Sequence, residues 1–235
     1  MQYELRFYYI EKGRMDDVAG RMRDGLPPLL DKHGINVVGR WNVLAGPQCD
    51  MFIYLMAWKD NNERETNWGG FYNDPDWWKL RADTNAGTEL VEYYDIHLLS
   101  PAISWLNHVE KNGLPEIGPL HELLVQPIAN GQPKAAQEYL EHTAFPALKK
   151  QGAELLASFV PQSGMNMPGI VSFISWPSFE ARLNGWKAYW ADESIKAALK
   201  QQHADLGKYL LGRSDVYLLE PASYAAPHPS LGLVK

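Results

Sequence analysis

The chain has 235 residues, a formal net charge of −6, 46% hydrophobic and 21% charged residues, the make-up of a folded rather than a disordered protein. The acidic balance, with Lys and Arg scattered, argues against a nucleic-acid surface, and no apolar run is long enough to span a bilayer. Cys49 is the one cysteine, so no internal disulfide can form and a reducing, cytoplasmic setting is expected; the N-terminus lacks a basic-then-apolar leader.

Residues 3–10 (YELRFYYI) are aromatic and β-branched and read as a strand. Alternation puts Tyr3, Leu5, Phe7 and Tyr9 on one face, and Glu4, Arg6, Tyr8 and Ile10 on the other. After Lys12-Gly13, the spacing of Met15, Val18, Met22, Leu26 and Leu29/Leu30 predicts a helix. Pro27 and Pro28 must kink or restart it, because proline removes amide donors and clashes with the preceding turn. Gly34 ends it. Residues 35–44 and 51–58 read as strands around Ala45-Gly46-Pro47. A helical region over 61–86 breaks near Asn73-Asp74-Pro75, and a last strand covers 91–99. The order is β-α-β-β-α-β, a split ferredoxin-like unit.

The unit then recurs at a constant offset of 118. Glu4/Glu122, Gly13/Gly131, Pro28/Pro146, Gly34/Gly152, Gly46/Gly164, Trp58/Trp176, Arg64/Arg182, Trp68/Trp186 and Asp74/Asp192 all match. There are 13 identities from Glu4 to Asp74, where average composition gives roughly 4 by chance. The second copy is expected as strand 120–126, helix 133–150, strands 154–160 and 169–176, helix 178–207 and strand 213–219. The expected domains are therefore 1–100 and 120–220, joined by a linker over 101–119 and followed by a tail over 221–235. A four-stranded sheet with helices on one face leaves its other face bare. The expected fold is α+β: tandem ferredoxin-like modules packed sheet to sheet as an intrachain α+β barrel with helices outside.

The run YELRFY…KG…GLPPLLDKHG…VVGRW…GP…YLMAW, with an aromatic, Asp-Pro-containing helix after it, resembles the NIPSNAP family of the dimeric α+β barrel superfamily. The match covers residues 3–100 well. Residues 120–220 match more weakly, with Leu124 and Gln151 where the first copy has Arg6 and His33. The resemblance implies the barrel and a ligand cleft between sheet and helices, in a superfamily of cofactor-free monooxygenases, isomerases, lyases and haem-binding relatives. It does not name a reaction.

Nine Trp and twelve Tyr are many for this length, and each buried one needs a partner for its polar tip. A pocket for a flat or apolar molecule is one reason to keep them. Glu4, Arg6 and Tyr8 form a row able to bind a polar group and move protons. Only Glu4 recurs in the second copy, so Arg6 and Tyr8 are the stronger functional candidates. His33 either complements a helix C-terminus or serves as a general base. Tyr54, Trp77 and Trp78 face Ser172, Ile195 and Lys196 in the repeat and are candidate ligand contacts, with Trp41, Tyr72 and His97 beside them. His121 opens the second copy, and His142 or His203 would be the proximal ligand if haem were bound. No metal-ligand spacing, nucleophile elbow or phosphate-cradling loop appears.

The residues thus point first to a cofactor-independent acid/base enzyme of lyase, isomerase or monooxygenase type. Its ligand would be small and hydrophobic or aromatic. Arg6, Tyr8, His33 and Glu4 would be catalytic, with the main site in the first copy and the second copy closing the barrel. The alternatives are a non-catalytic small-molecule-binding or assembly module, possible as a homodimer, and a haem protein.

Overall fold

The computed structural model describes residues 1–164, 166–224 and 227–233. Eight strands form a closed antiparallel barrel: β1 Gln2–Ile10, β2 Val37–Ala45, β3 Met51–Trp58, β4 Val91–Pro101, β5 Leu120–Pro127, β6 Glu154–Pro161, β7 Gly169–Trp176 and β8 Asp215–Pro221. The order around the barrel is β1-β3-β2-β8-β5-β7-β6-β4. Each copy supplies a sheet ordered 4-1-3-2, and the copies join at two seams. At one, Trp41 of β2 stands opposite Pro221 of β8; at the other, Leu99 of β4 stands opposite Pro161 of β6. Closure leaves no unpaired edge.

The alternation read in β1 decides which side chains go where. Tyr3 and Phe7 point into the barrel, where Tyr3 meets Phe159 at 4.7 Å between centroids and Phe7 meets Tyr217 at 5.4 Å. Trp41 and Phe173 stack at 4.9 Å in the same interior. Side chains fill the lumen, as an eight-stranded barrel requires. The opposite face of β1 carries Glu4, Arg6 and Tyr8 toward the first helical layer, with Phe52, Tyr54 and Trp58 of β3.

The helices follow the expected plan with two differences. The first helical stretch of each copy stays helical through its proline region by widening into one π turn. In copy one these are α1 Met15–Gly20, the π turn Arg21–Gly25 and α2 Leu26–Lys32, with Pro27 and Pro28 in the first turn of α2. Copy two repeats this as α6 Pro133–Tyr139, the π turn Leu140–Ala144 and α7 Phe145–Lys149. The prolines lie inside a continuous helical stretch, and the widened turn, in which the Leu26 amide reaches the Arg21 carbonyl, accommodates the donors they lack. Copy one then has α3 Asn61–Tyr72 and α4 Pro75–Asn85, broken where expected. The stretch 178–207, expected as one helix, breaks likewise into α8 Phe179–Ala191 and α9 Glu193–Leu206. The repeated aspartate explains both breaks. Asp74 and Asp192 sit in extended backbone and accept from the amides of Asp76 and Ser194, capping α4 and α9.

The stretch 101–119, expected as a linker, contains α5 Ile103–Asn112. Trp105 and His108 share its buried face. Trp105 packs edge-on against Tyr3 and Phe159, so the connection closes one end of the core as well as joining the copies.

Candidate functional site

Each copy builds the same buried anchor between sheet and helices. In copy one, Glu4 is fully buried and accepts from Arg6 Nε at 2.5 Å, Arg64 Nε at 2.6 Å and Trp68 Nε1 at 3.2 Å. In copy two, Glu122 accepts from Trp176 Nε1 at 2.9 Å, Trp186 Nε1 at 2.8 Å and the Arg182 guanidinium. The Glu–Arg–Trp identities of the repeat are thus one structural device that ties β1 to α3 and β5 to α8. Both Glu4 oxygens are engaged there, Oε1 by Arg6 and Oε2 by Arg64 and Trp68, which gives it a structural job.

Around that anchor the copies diverge. In copy one, Arg6 is 2% exposed and lies 4.1 Å over the Trp68 ring. Its NH1 donates toward the hydroxyls of Tyr8 at 3.3 Å and of Tyr54 and Tyr72 at 3.5 Å. Burial pulls the Arg6 pKa down, but the surrounding Tyr54, Tyr8 and Glu4 oxygens outweigh it and hold the group protonated. Burial pushes the Tyr8 and Tyr54 phenols up, with Arg6 opposing, so both stay neutral while accepting from Arg6. Tyr8, Tyr54, Tyr72 and Trp68 line a cavity of only about 50 Å³, with Arg21, Arg40 and Trp77 also in its wall, room for a few waters. The open space expected in the first copy is nearly filled by its own side chains.

The equivalent space in copy two is a cavity of about 700 Å³. Smaller groups explain it: Leu124 replaces Arg6, Gln126 replaces Tyr8, Ser172 replaces Tyr54 and Ile195 replaces Trp77. Ser172 and Ser158 satisfy each other at 3.0 Å, so the exchange strands no polar group. Leu124, Leu140, Phe145, Ile174, Trp186 and Trp190 give the cavity mostly apolar walls. Tyr139 and Tyr189 join hydroxyls across one side at 3.2 Å. This cavity was missed in the sequence, although the large-to-small exchanges at the repeat offset were its signal. Arg40 and Arg21 were missed too, although Arg40 stands in the VVGRW piece of the family-like run.

Arg6, Tyr8, Tyr54, Tyr72 and Trp77 come together as expected; His33, Trp41, Trp78 and His97 do not join them. His33 Nε2 is held by Asp74 at 2.7 Å, and Asp74 also takes Lys32 at 2.7 Å. That pairing turns the imidazole away from the cavity, at the base of α4. Trp78 is 52% exposed and its Nε1 donates to the Tyr72 carbonyl at 2.8 Å. Trp41 is inside the barrel, donating to His121 Nδ1 at 2.8 Å.

His97 stands at the barrel mouth, 5.2 Å from Phe7, in a depression of about 350 Å³ that it shares with Tyr217. Burial lowers its pKa, Asp95 opposing. A Cβ on Gly164 would come 2.7 Å from the His97 ring, and one on Gly46 would come 2.7 Å from the Tyr217 ring. Close ring approach therefore explains that repeated glycine pair. His142 and His203 are exposed and line neither helix–sheet cavity. Among the described residues, no group of three or more His, Cys, Asp or Glu could hold a metal ion, and no helix is long and apolar enough to cross a membrane.

Comparison with known proteins matches both copies to one family. Over 94% of both chains, the structure is similar to a protein provisionally named a monooxygenase from Lactobacillus acidophilus, at 10% identity and a TM-score of 0.55. It is similar to a variant chlorite dismutase from Candidatus Nitrospira defluvii at 8% identity and a TM-score of 0.55, over 96% of this chain and 94% of that one. An uncharacterised NIPSNAP domain protein from Burkholderia xenovorans is 20% identical over 44% of this chain and 96% of its own, with a TM-score of 0.38. The first two likenesses establish the barrel fold. No curated protein sequence matches the chain. The NIPSNAP family profile matches residues 3–104 and again 121–225; the chain belongs to the NIPSNAP family.

Proposed function

We propose that this chain binds a small, largely apolar or aromatic molecule between sheet and helices, and that the second copy holds the main site. One observation carries the reading: the 700 Å³ apolar cavity stands where the first copy has about 50 Å³. Its size falls within the range of about 300–1,000 Å³ usual for ligand pockets. This shifts the site from the first copy, where the residue pattern had placed it. A cytoplasmic setting and a homodimer are parts of the same reading, supported respectively by the exposed thiol of Cys49 and by exposed rings such as Trp78 and Trp190.

The test uses 1-aminoanthracene, a neutral apolar probe. Its fluorescence should rise saturably with one probe per chain, drawing energy from Trp186 and Trp190 at the cavity wall. Ser172→Tyr restores the ring found at the equivalent position of the first copy and should weaken binding at least tenfold, with the circular dichroism unchanged. Absence of saturable binding, or full affinity in a folded Ser172→Tyr variant, contradicts the proposal.

A second reading is acid/base chemistry in the first copy, favoured by the Arg6 cluster that the repeat shows to be dispensable for folding. Arg6 would hold an oxyanion while Tyr8 or Tyr54 donates a proton. The neutral phenols and the displaced His33 confine these residues to acid and oxyanion-holding roles.

A further inference from the structure

The cavity of the first copy has an imbalance of hydrogen-bonding groups. Among apolar side chains such as Val18, Met22 and Phe71, its wall carries Arg21, Arg40, Trp77 and three phenols that accept from the Arg6 guanidinium behind them. Arg40 Nε and Trp77 Nε1 are buried without a hydrogen-bond partner among the described residues. No carboxylate lines the cavity. Outside the lining, Glu4 is shared between two guanidiniums, Arg6 and Arg64, and also takes the Trp68 indole, while Asp31 and Glu89 act on Arg40 and Arg21 from beyond the cavity wall. Buried donors left unpaired are costly, and excess buried positive charge more so. Such a space is complementary to an acceptor that carries negative charge.

Its volume sets the size. About 50 Å³ admits a few heavy atoms and excludes an aromatic ring. The second copy has Leu124, Tyr139, Ser158 and Ile195 at the positions of Arg6, Arg21, Arg40 and Trp77. The barrel therefore closes without this donor set, and the fold does not explain its presence.

We propose that the first copy is a binding site for a small oxyanion of the size of formate, nitrate or bicarbonate, held by Arg40 and Trp77 with the tyrosine hydroxyls, which Arg6 orients from behind the cavity wall. The site is separate from the apolar cavity of the second copy. It narrows the ligand of the acid/base reading without depending on turnover, because binding is read directly.

Isothermal titration calorimetry of the full chain with sodium formate and with sodium nitrate, at ionic strength held constant with sodium chloride, tests it. Saturable one-to-one binding is expected. Arg40→Gln should weaken it at least tenfold, and Trp77→Phe, which keeps the ring and removes the donor, several-fold. Ser172→Tyr should leave it unchanged, so loss of the apolar site and loss of this one are distinguishable. Formate and nitrate behaving as chloride does, or both folded variants binding as the wild type, overturns the proposal. Benzoate competing for the same Arg40-dependent site also overturns it, since the occupant would then be larger.

Discussion

Trp41 Nε1 donates to His121 Nδ1 at 2.8 Å, and His121 Nε2 lies 3.1 Å from the Gly118 carbonyl. One imidazole thereby links a strand of the first copy to the start of the second. The bonds fix its tautomer: Nδ1 accepts, so Nε2 carries the proton and donates. Burial pushes its pKa down to about 4, the Gly118 carbonyl opposing. In the unfolded chain it titrates near 6.5. Above that pH both states are neutral and the contribution is complete. As pH falls from 6.5 toward 4, only the unfolded chain gains a proton, and stability drops by up to about 3 kcal/mol. Urea midpoints at pH 7 and pH 4.5 check this. His121→Asn should be less stable at pH 7, yet lose less between the two values than the wild type.

Glu4 and Glu122 are both predicted to be structural, with Glu4 carrying the larger share. Glu4→Gln leaves the buried Arg6 guanidinium without its carboxylate, which costs about 3–5 kcal/mol, whereas Glu122→Gln leaves only the partly exposed Arg182. Urea denaturation should give the larger loss for the Glu4 variant. A loss below about 1 kcal/mol at Glu4 would return that residue to the list of functional candidates.

Trp105 fills the end of the barrel core from a segment with no strand of its own. Trp105→Ala should cost about 3–5 kcal/mol, read from the shift in thermal midpoint. A midpoint within a degree or two of wild type would mean that α5 is an ornament on a core complete without it.

The divergence between the copies can be run backwards. Arg6→Leu, Tyr8→Gln, Tyr54→Ser and Trp77→Ile together give the first copy the side chains of the second at these four positions. They should raise the stoichiometry of 1-aminoanthracene from one to two per chain. An unchanged stoichiometry in a folded variant would show that helix placement, rather than side-chain volume, sets the cavity.

Much of the fold was legible because the repeat supplies internal proof. Gly46/Gly164, Asp74/Asp192 and the Glu–Arg–Trp set recur because each has one local job: admitting a ring, capping a helix, anchoring a strand. The period-2 pattern of YELRFYYI separated barrel face from helix face correctly. The site was harder to read. Trp41 and His97 look like pocket residues by type, but the barrel interior also needs rings. His33 sits one residue from a helix end in the sequence, and the aspartate that claims it lies 41 positions away. The second cavity is defined by what is missing from its walls, which shows only when the two copies are compared position by position.

Crystals of the wild-type chain held under xenon pressure test the central claim directly, since xenon enters apolar cavities without needing polar partners. The account predicts xenon among Leu124, Leu140, Phe145 and Trp186 of the second copy, and none beside Arg6 and Tyr54. Xenon bound equally in both places, or absent from the second, would contradict it.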